Sequence, residues 1–207
     1  MIGRAPTRDG RTVEIEFRTD DGTHVARFDV PADLVVDDGA DATLALGWFP
    51  AMARREPLHV DGPVSPRLLG AAERIAEIWL TWDRAIHTDN PWYGRVELTA
   101  ADTHPSATAG RGAACFFTGG VDSFHSALAL RDRLDALIFV HGFDLLDDST
   151  DPLNLEVSER LRESADSIGL ALIEVECNLV GFAAGSGIGW DDFHGAALAA
   201  VAHLLGP

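Results

Sequence analysis

Three apolar runs in the second half of the chain constrain its fold more than anything else in it: AACFF (Ala113 to Phe117), DALIFVHG (Asp135 to Gly142) and LALIEVECNL (Leu170 to Leu179). The first two show no polar alternation, and the third opens with four apolar residues before Glu174 and Glu176. A strand that is apolar on both sides must be covered on both sides, and amphipathic segments stand between the runs to do this. In NLEVSERLRESADSIG, Val157, Leu161, Ala165 and Ile168 fall on one helical face, and Gly169 supplies the stop. Strand, helix, strand, helix, strand predicts a doubly wound parallel sheet of the α/β class over residues 109–207.

The first half has a different rhythm. In TVEIEFR, Val13, Ile15 and Phe17 alternate with charged residues; Asp20-Asp21-Gly22 offers a turn, and Ala26, Phe28 and Val30 share a face in the return, which predicts a hairpin. Ser65 and Pro66 open a helix in which Leu68, Ala72, Ile75, Trp79 and Trp82 form one stripe, read as core, with the tryptophans as a ligand wall the alternative. GRVELTA (Gly94 to Ala100) reads as a further strand, and the Gly, Ser, Thr, Pro and Ala of Ala101 to Gly112 as a linker. The expected organisation is a small α+β module over 1–108, shaping an acceptor site or mediating homodimerisation, followed by the α/β domain. The last helix, DDFHGAALAAVAHLLG, is apolar almost all round and should be buried. The residues after Ser123 have room for about three strands, fewer than the five or so of a nucleotide-binding sheet, so the chain is expected to end inside that domain.

Charge excludes several classes of function. With 33 acidic residues against 16 basic ones, the net charge of −17 repels a phosphate backbone, and no basic run offsets it, so nucleic acid is not an expected partner. All 16 basic residues are arginine; without lysine, neither a Walker-type phosphate loop nor a Schiff-base lysine is present within this chain. No apolar run is long enough to span a membrane and no signal-peptide pattern opens the sequence, so no membrane association and a cytoplasmic location are expected. Cys115 and Cys177 are far apart in apolar stretches and read as core thiols.

The connection after the first of the three runs is the place where chemistry concentrates. Thr118-Gly119-Gly120-Val121-Asp122-Ser123 lies between a strand and a helix, at the strand end where ligands collect in parallel sheets. Glycine admits a close backbone approach, and the first amides and dipole of a helix favour an anion. The same residues can equally make a Gly-Gly turn with Asp122 or Ser123 as an ordinary N-cap.

FFTGGVDSFHSAL resembles the Ser-Gly-Gly-x-Asp-Ser pyrophosphate loop of the N-type ATP pyrophosphatases, the PP-loop superfamily with its HUP-like, adenine nucleotide alpha hydrolase-like fold. The likeness extends over residues 113–207 and is nearest to the 7-cyano-7-deazaguanine synthase-like branch. Thr118 stands where the family usually has serine, keeping the hydroxyl. The resemblance implies attack by a carboxylate or amide oxygen of a small-molecule acid or amide on the α-phosphate of ATP, with release of pyrophosphate and later of AMP. It implies that Gly119, Gly120, Val121 and Ser123 bind pyrophosphate, that Thr118 adds its hydroxyl, that Asp122 orients the loop or positions Mg²⁺, and that Val140 and His141 lie where adenine is received. Asp122 and Ser123 are thereby the catalytic candidates. The family's four-cysteine zinc site and paired reactive cysteines are absent. ATP-dependent epimerisation of a glutamyl group in a cell-wall precursor is another reaction the resemblance allows, and a nucleotide sensor or scaffold without chemistry is the reading from a different class.

Three other stretches were candidates. Asp144, Asp147, Asp148 and Asp151 follow the second strand but lack the glycine and terminal glutamate of a calcium loop, leaving a solvated loop or a metal or substrate contact. Gly185, Gly187 and Gly189 alternate, which is not dinucleotide-binding spacing. Asp191, Asp192 and His194 precede the last helix, with capping and substrate contact both open, and His125 reads as packed or solvated.

Overall fold

Two short strands, β1 (Ile2–Arg4) and β2 (Thr7–Asp9), lead into the expected hairpin of β3 (Thr12–Thr19) and β4 (Gly22–Asp29). These positions come from a computed structural model that describes residues 1–37, 39–105, 112–143 and 151–205. The alternating residues all point inward: Val13, Ile15, Phe17, Ala26, Phe28 and Val30 are buried. Each large apolar side chain removed from water in this way stabilises the fold by about 1.5–3 kcal/mol.

The chain continues through α1 (Asp41–Arg54), β5 (Leu58–Val64), α2 (Pro66–Ile86), β6 (Leu98–Thr103) and β7 (Ala114–Phe116). Then come α3 (Val121–Ala129), a single 3-10 turn at Arg131–Arg133, β8 (Ala136–His141), α4 (Pro152–Ile168), β9 (Ala171–Cys177), α5 (Leu179–Gly185) and α6 (Trp190–Leu204). Gly169 adopts the left-handed conformation that ends α4 (φ 80°). Asp151, at the other end of that helix, accepts a hydrogen bond from the Leu153 amide at 2.8 Å and is its N-cap. Asp144, Asp147 and Asp148 lie outside the described residues, as does the boundary expected near residue 108.

The class is α/β with a mixed sheet. The strand order is β6-β5-β1-β3-β4-β9-β8-β7, with β2 paired to β3. The block β7-β8-β9 is parallel, as expected, and so is β1-β5-β6, while the hairpin between them is antiparallel. Strands from the two halves of the sequence therefore share one sheet, through the antiparallel pairs Phe28↔Cys177 and Asp29↔Glu176. On one face α3 and α4 enclose Phe117, Leu137, Phe139, Leu161 and Ile168. On the other, Ile138, Val140 and Val175 join Phe17, Phe28, Phe193 and Val201 in a core to which both halves contribute. No helix among the described residues is long and apolar enough to cross a membrane.

Three expectations shift. The strand expected over Gly94 to Ala100 begins only at Leu98, and the helix expected near Ser123 begins at Val121, because Gly120 already serves as its extended N-cap. The stripe on α2 is only partly core: Ala72 is buried and Leu68 and Trp79 are half-buried, but Ile75 and Trp82 are 48% and 56% exposed. The buried line of α2 runs instead through Ala72, Leu80 and Asp83, since the helix packs on α1 and β6 at one side of the sheet. The last helix is buried through Phe193, Ala196, Ala197, Ala200, Val201 and Leu204, while His194 and Gly195 are exposed.

One side chain completes the seam between the halves. Asn178 accepts a hydrogen bond from the Arg27 amide at 2.8 Å and donates one to the Val25 carbonyl at 3.1 Å, extending the β4–β9 pairing past the end of β9. Replacing Asn178 with Ala should lower the unfolding free energy by about 1–2 kcal/mol in a urea titration, and Asn178→Asp, which keeps the acceptor and loses the donor, should lie between the two.

Candidate functional site

The loop Thr118 to Ser123 is anchored from below and open above. Phe117, the last residue before it, is fully buried, donates its amide to the Ile138 carbonyl at 2.7 Å and packs edge-on against Phe124 at 4.9 Å. The backbone then turns through Gly119 at φ +74°, a conformation that L side chains rarely adopt; a Cβ there would also stand 2.8 Å from the Leu161 side chain of α4. Gly120 differs. Its φ is −78°, and the nearest atom to a Cβ at this position would be Thr118 Oγ1 at 3.5 Å, an ordinary contact. Nothing in the surrounding protein requires a glycine at 120, so the missing side chain matters only toward the outside.

The loop is exposed and leaves its backbone donors unpaired. Among the described residues, no acceptor engages the backbone amides of Gly119, Gly120, Val121, Asp122 or Ser123, and α3 has no side-chain cap. Ser123 donates to the Gly120 carbonyl at 2.8 Å, and its Oγ lies 3.5 Å from Thr118 Oγ1, so the two hydroxyls converge. Val121 and Asp122 are exposed, and among the described residues Asp122 has no hydrogen-bond or ion-pair partner. Unpartnered amides at the start of a helix can receive an anion.

Beside the loop is a cavity of about 260 Å³ at the carboxyl ends of β7 and β8, walled by Phe116, Thr118, Ile138, Val140, Phe143 and Leu198 among others. The two ligand-facing residues expected at the end of β8 part here. Val140 lines this cavity. The His141 side chain is buried against α4 instead, with Nε2 3.0 Å from Glu174 Oε2 and 3.3 Å from Ser158 Oγ, and its ring edge-on to Phe139 at 4.6 Å. Because serine and glutamate meet the same ring nitrogen, the group lacks the relay through both nitrogens that a nucleophilic triad requires.

Glu174 also accepts from Arg162 Nε at 2.6 Å. Burial alone would raise its pKa; hydrogen bonds from His141, Ser158 and Arg162 and the arginine's charge outweigh this and lower it to about 2. Of the remaining candidates, Asp191 and Asp192 sit in the first turn of α6 but do not cap it, since Gly189 is the N-cap; Asp192 instead accepts the Tyr93 hydroxyl at 2.7 Å. His125 is exposed, Cys177 is buried and Cys115 half-buried. Among the described residues no group of three His, Cys, Asp or Glu is placed to hold a metal ion.

Local sequence pattern marks the loop and the end of β8, where Val140 lies, but carries no mark of the rest of the cavity wall. Val157 and Leu161 form a helical stripe in the sequence, without a sign that Val157 lines the cavity or that Leu161 underlies the loop; Leu198 comes from α6 and no local pattern announces it. Compared with known proteins, the chain matches no family model, no curated protein and no solved structure.

The Glu174 cluster gives a pH-dependent expectation. A carboxylate whose folded pKa is depressed contributes its stability above the ordinary value of 4.5 and loses it as pH falls toward about 2. Wild type should therefore be more stable than Glu174→Gln at pH 7, with the gap closing between pH 4.5 and about 2 in parallel urea titrations. A gap that stays constant across that range would show that Glu174 is not held ionised by its neighbours.

Proposed function

We propose that the chain binds ATP at this site and acts as an adenylating enzyme of the PP-loop type. The observation that carries the reading is the position of Thr118, which both opens the loop of unpartnered amides and walls the apolar cavity. A phosphate receptor and a hollow with room for a purine thus adjoin at the carboxyl ends of parallel strands, where such sheets hold nucleotides. The order β9-β8-β7, with α3 and α4 on one face and α6 on the other, supports a HUP-like arrangement of this half.

In the proposed reaction a carboxylate or amide oxygen of a small molecule forms a bond to the α-phosphorus, and the bond from that phosphorus to the bridging oxygen breaks. Pyrophosphate leaves with the electron pair. The amides of Gly119 to Ser123 would stabilise the charge that grows on it, and the hydroxyls of Thr118 and Ser123, turned onto Ser123 Oγ and the Gly120 carbonyl, would add to this by rotating toward the phosphate. The loop contains no basic side chain and the chain carries −17, so a divalent cation is needed to offset the phosphates. Asp122 is the one carboxylate in the loop. Mg²⁺, which commonly takes one or two carboxylates and otherwise phosphate oxygens and water, fits that provision. A nucleotide sensor without chemistry is the second reading, since the loop's unpartnered amides would hold phosphate whether or not a reaction follows.

The two glycines separate a binding loop from a mere bend. Gly120→Ala should leave the urea midpoint unchanged and weaken Mg-ATP binding about tenfold, or about 1.4 kcal/mol, in calorimetry. Gly119→Ala should reduce both stability and binding. Full affinity in Gly120→Ala, or no ATP binding by the wild type, would end the proposal. ATP binding without pyrophosphate release across a panel of carboxylic acids and amides would select the sensor.

A further inference from the structure

A second hollow lies on the other flank of α6. It is a cleft of about 320 Å³ between α2 and α6, floored by Leu44 and Trp48 of α1 and walled by Ile75 and Trp79 on one side and Gly195 and Ala199 on the other. Its size falls within the range of small-molecule sites, roughly 300–1,000 Å³. Both walls reach solvent: Ile75 is half-exposed, and a Cβ at Gly195 would meet nothing within 4 Å. The aromatic side is closely packed, with Phe49 edge-on to Trp48 at 4.5 Å and to Trp79 at 5.0 Å.

One charged group enters this apolar space. Asp192 lines the cleft, and Oδ2 accepts the Tyr93 hydroxyl at 2.7 Å. Among the described residues Oδ1 has no donor, and no arginine, histidine or amino group pairs with the carboxylate. Its place in the first turn of α6 sets the carboxylate at the positive end of the helix dipole. Tyr93 is buried, and burial together with the adjacent Asp192 charge raises the phenol pKa, so the hydroxyl stays a donor and fixes the carboxylate's orientation. An oriented anion at the rim of an aromatic cleft, with no cation of its own, has the complementarity of an ammonium group attached to an apolar body.

We propose that the α2–α6 cleft is a binding site for a small organic ammonium ion, its apolar body between Trp48, Trp79 and Ala199 and its cationic end on Asp192. The site is independent of the nucleotide reading: the proposed ATP cavity is reached from Leu198, on a different side of the same helix. Ile78 and Trp82 on the same helix as Ile75 and Trp79 are also exposed, and Trp82 lies 5.6 Å from Trp79, so a second copy of the chain is the competing occupant.

The test uses three probes of nearly equal shape: phenethylammonium, phenethyl alcohol and phenylpropanoate. Binding is followed by tryptophan fluorescence and calorimetry, and oligomeric state by sedimentation. The ammonium should bind at least about tenfold more tightly than the alcohol, and the carboxylate should not bind. Asp192→Asn keeps an acceptor for Tyr93 and should abolish the preference for the cation. Gly195→Leu, placed in open space on a helix, should abolish binding of both the ammonium and the alcohol while the circular dichroism spectrum is retained, and it keeps the test decisive if Asp192→Asn fails to fold. Equal affinity for ammonium and alcohol, no ammonium binding at millimolar concentration, unchanged binding in Gly195→Leu, or a dimer that must dissociate before the amine binds would each overturn the proposal.

Discussion

The architecture depends on a short antiparallel seam. Two residue pairs, Phe28↔Cys177 and Asp29↔Glu176, join the hairpin of the first half to the parallel block of the second, and Asn178 prolongs the join with its side-chain amide. Because of this seam the inward-facing residues of β3 and β4 and those of β8 and β9 belong to one core, roofed by α1, α5 and α6. Two small sheets, each covering its own margins, would expose more apolar area per residue than one sheet shared between the halves. The carboxyl edge of β7 and β8, where the loop and its cavity lie, is therefore set on a core to which the first 30 residues contribute directly.

Local pattern made some of the fold legible and left the rest hidden. The hairpin was readable because Val13, Ile15 and Phe17 alternate with charges, and α4 because its apolar face, its proline and Gly169 all agree. Helix α1 gave no such sign. Every residue from Asp41 to Met52 is buried, so no polar face marks the period, and Gly47 and Pro50 work against helical propensity. The stripe on α2 was real, but sequence cannot tell which side of a helix meets the sheet when several sides are apolar.

At the candidate site the loop was visible because its chemistry is local. The cavity is assembled from β7, β8, α4 and α6, and its wall residues are spread over more than 80 positions in sequence. His141 illustrates the limit: its position at the end of β8 was correctly read, but the direction of its ring is decided by Glu174 and Ser158, on two other elements. The pairing of Asp192 with Tyr93, across 99 positions, has no local signature either.

Strand β7 is three residues long and, among the described residues, pairs with β8 alone. The loop that follows is thus a cantilever, clamped on one side by the Phe117–Ile138 hydrogen bond and propped from beneath by Leu161. A bracket held at one end bends wherever its wall bends. The accuracy with which the loop's amides are aimed is consequently a property of β8 and α4, and small changes of shape at Ile138 or Leu161 are transmitted to its tip without touching any residue of the loop itself.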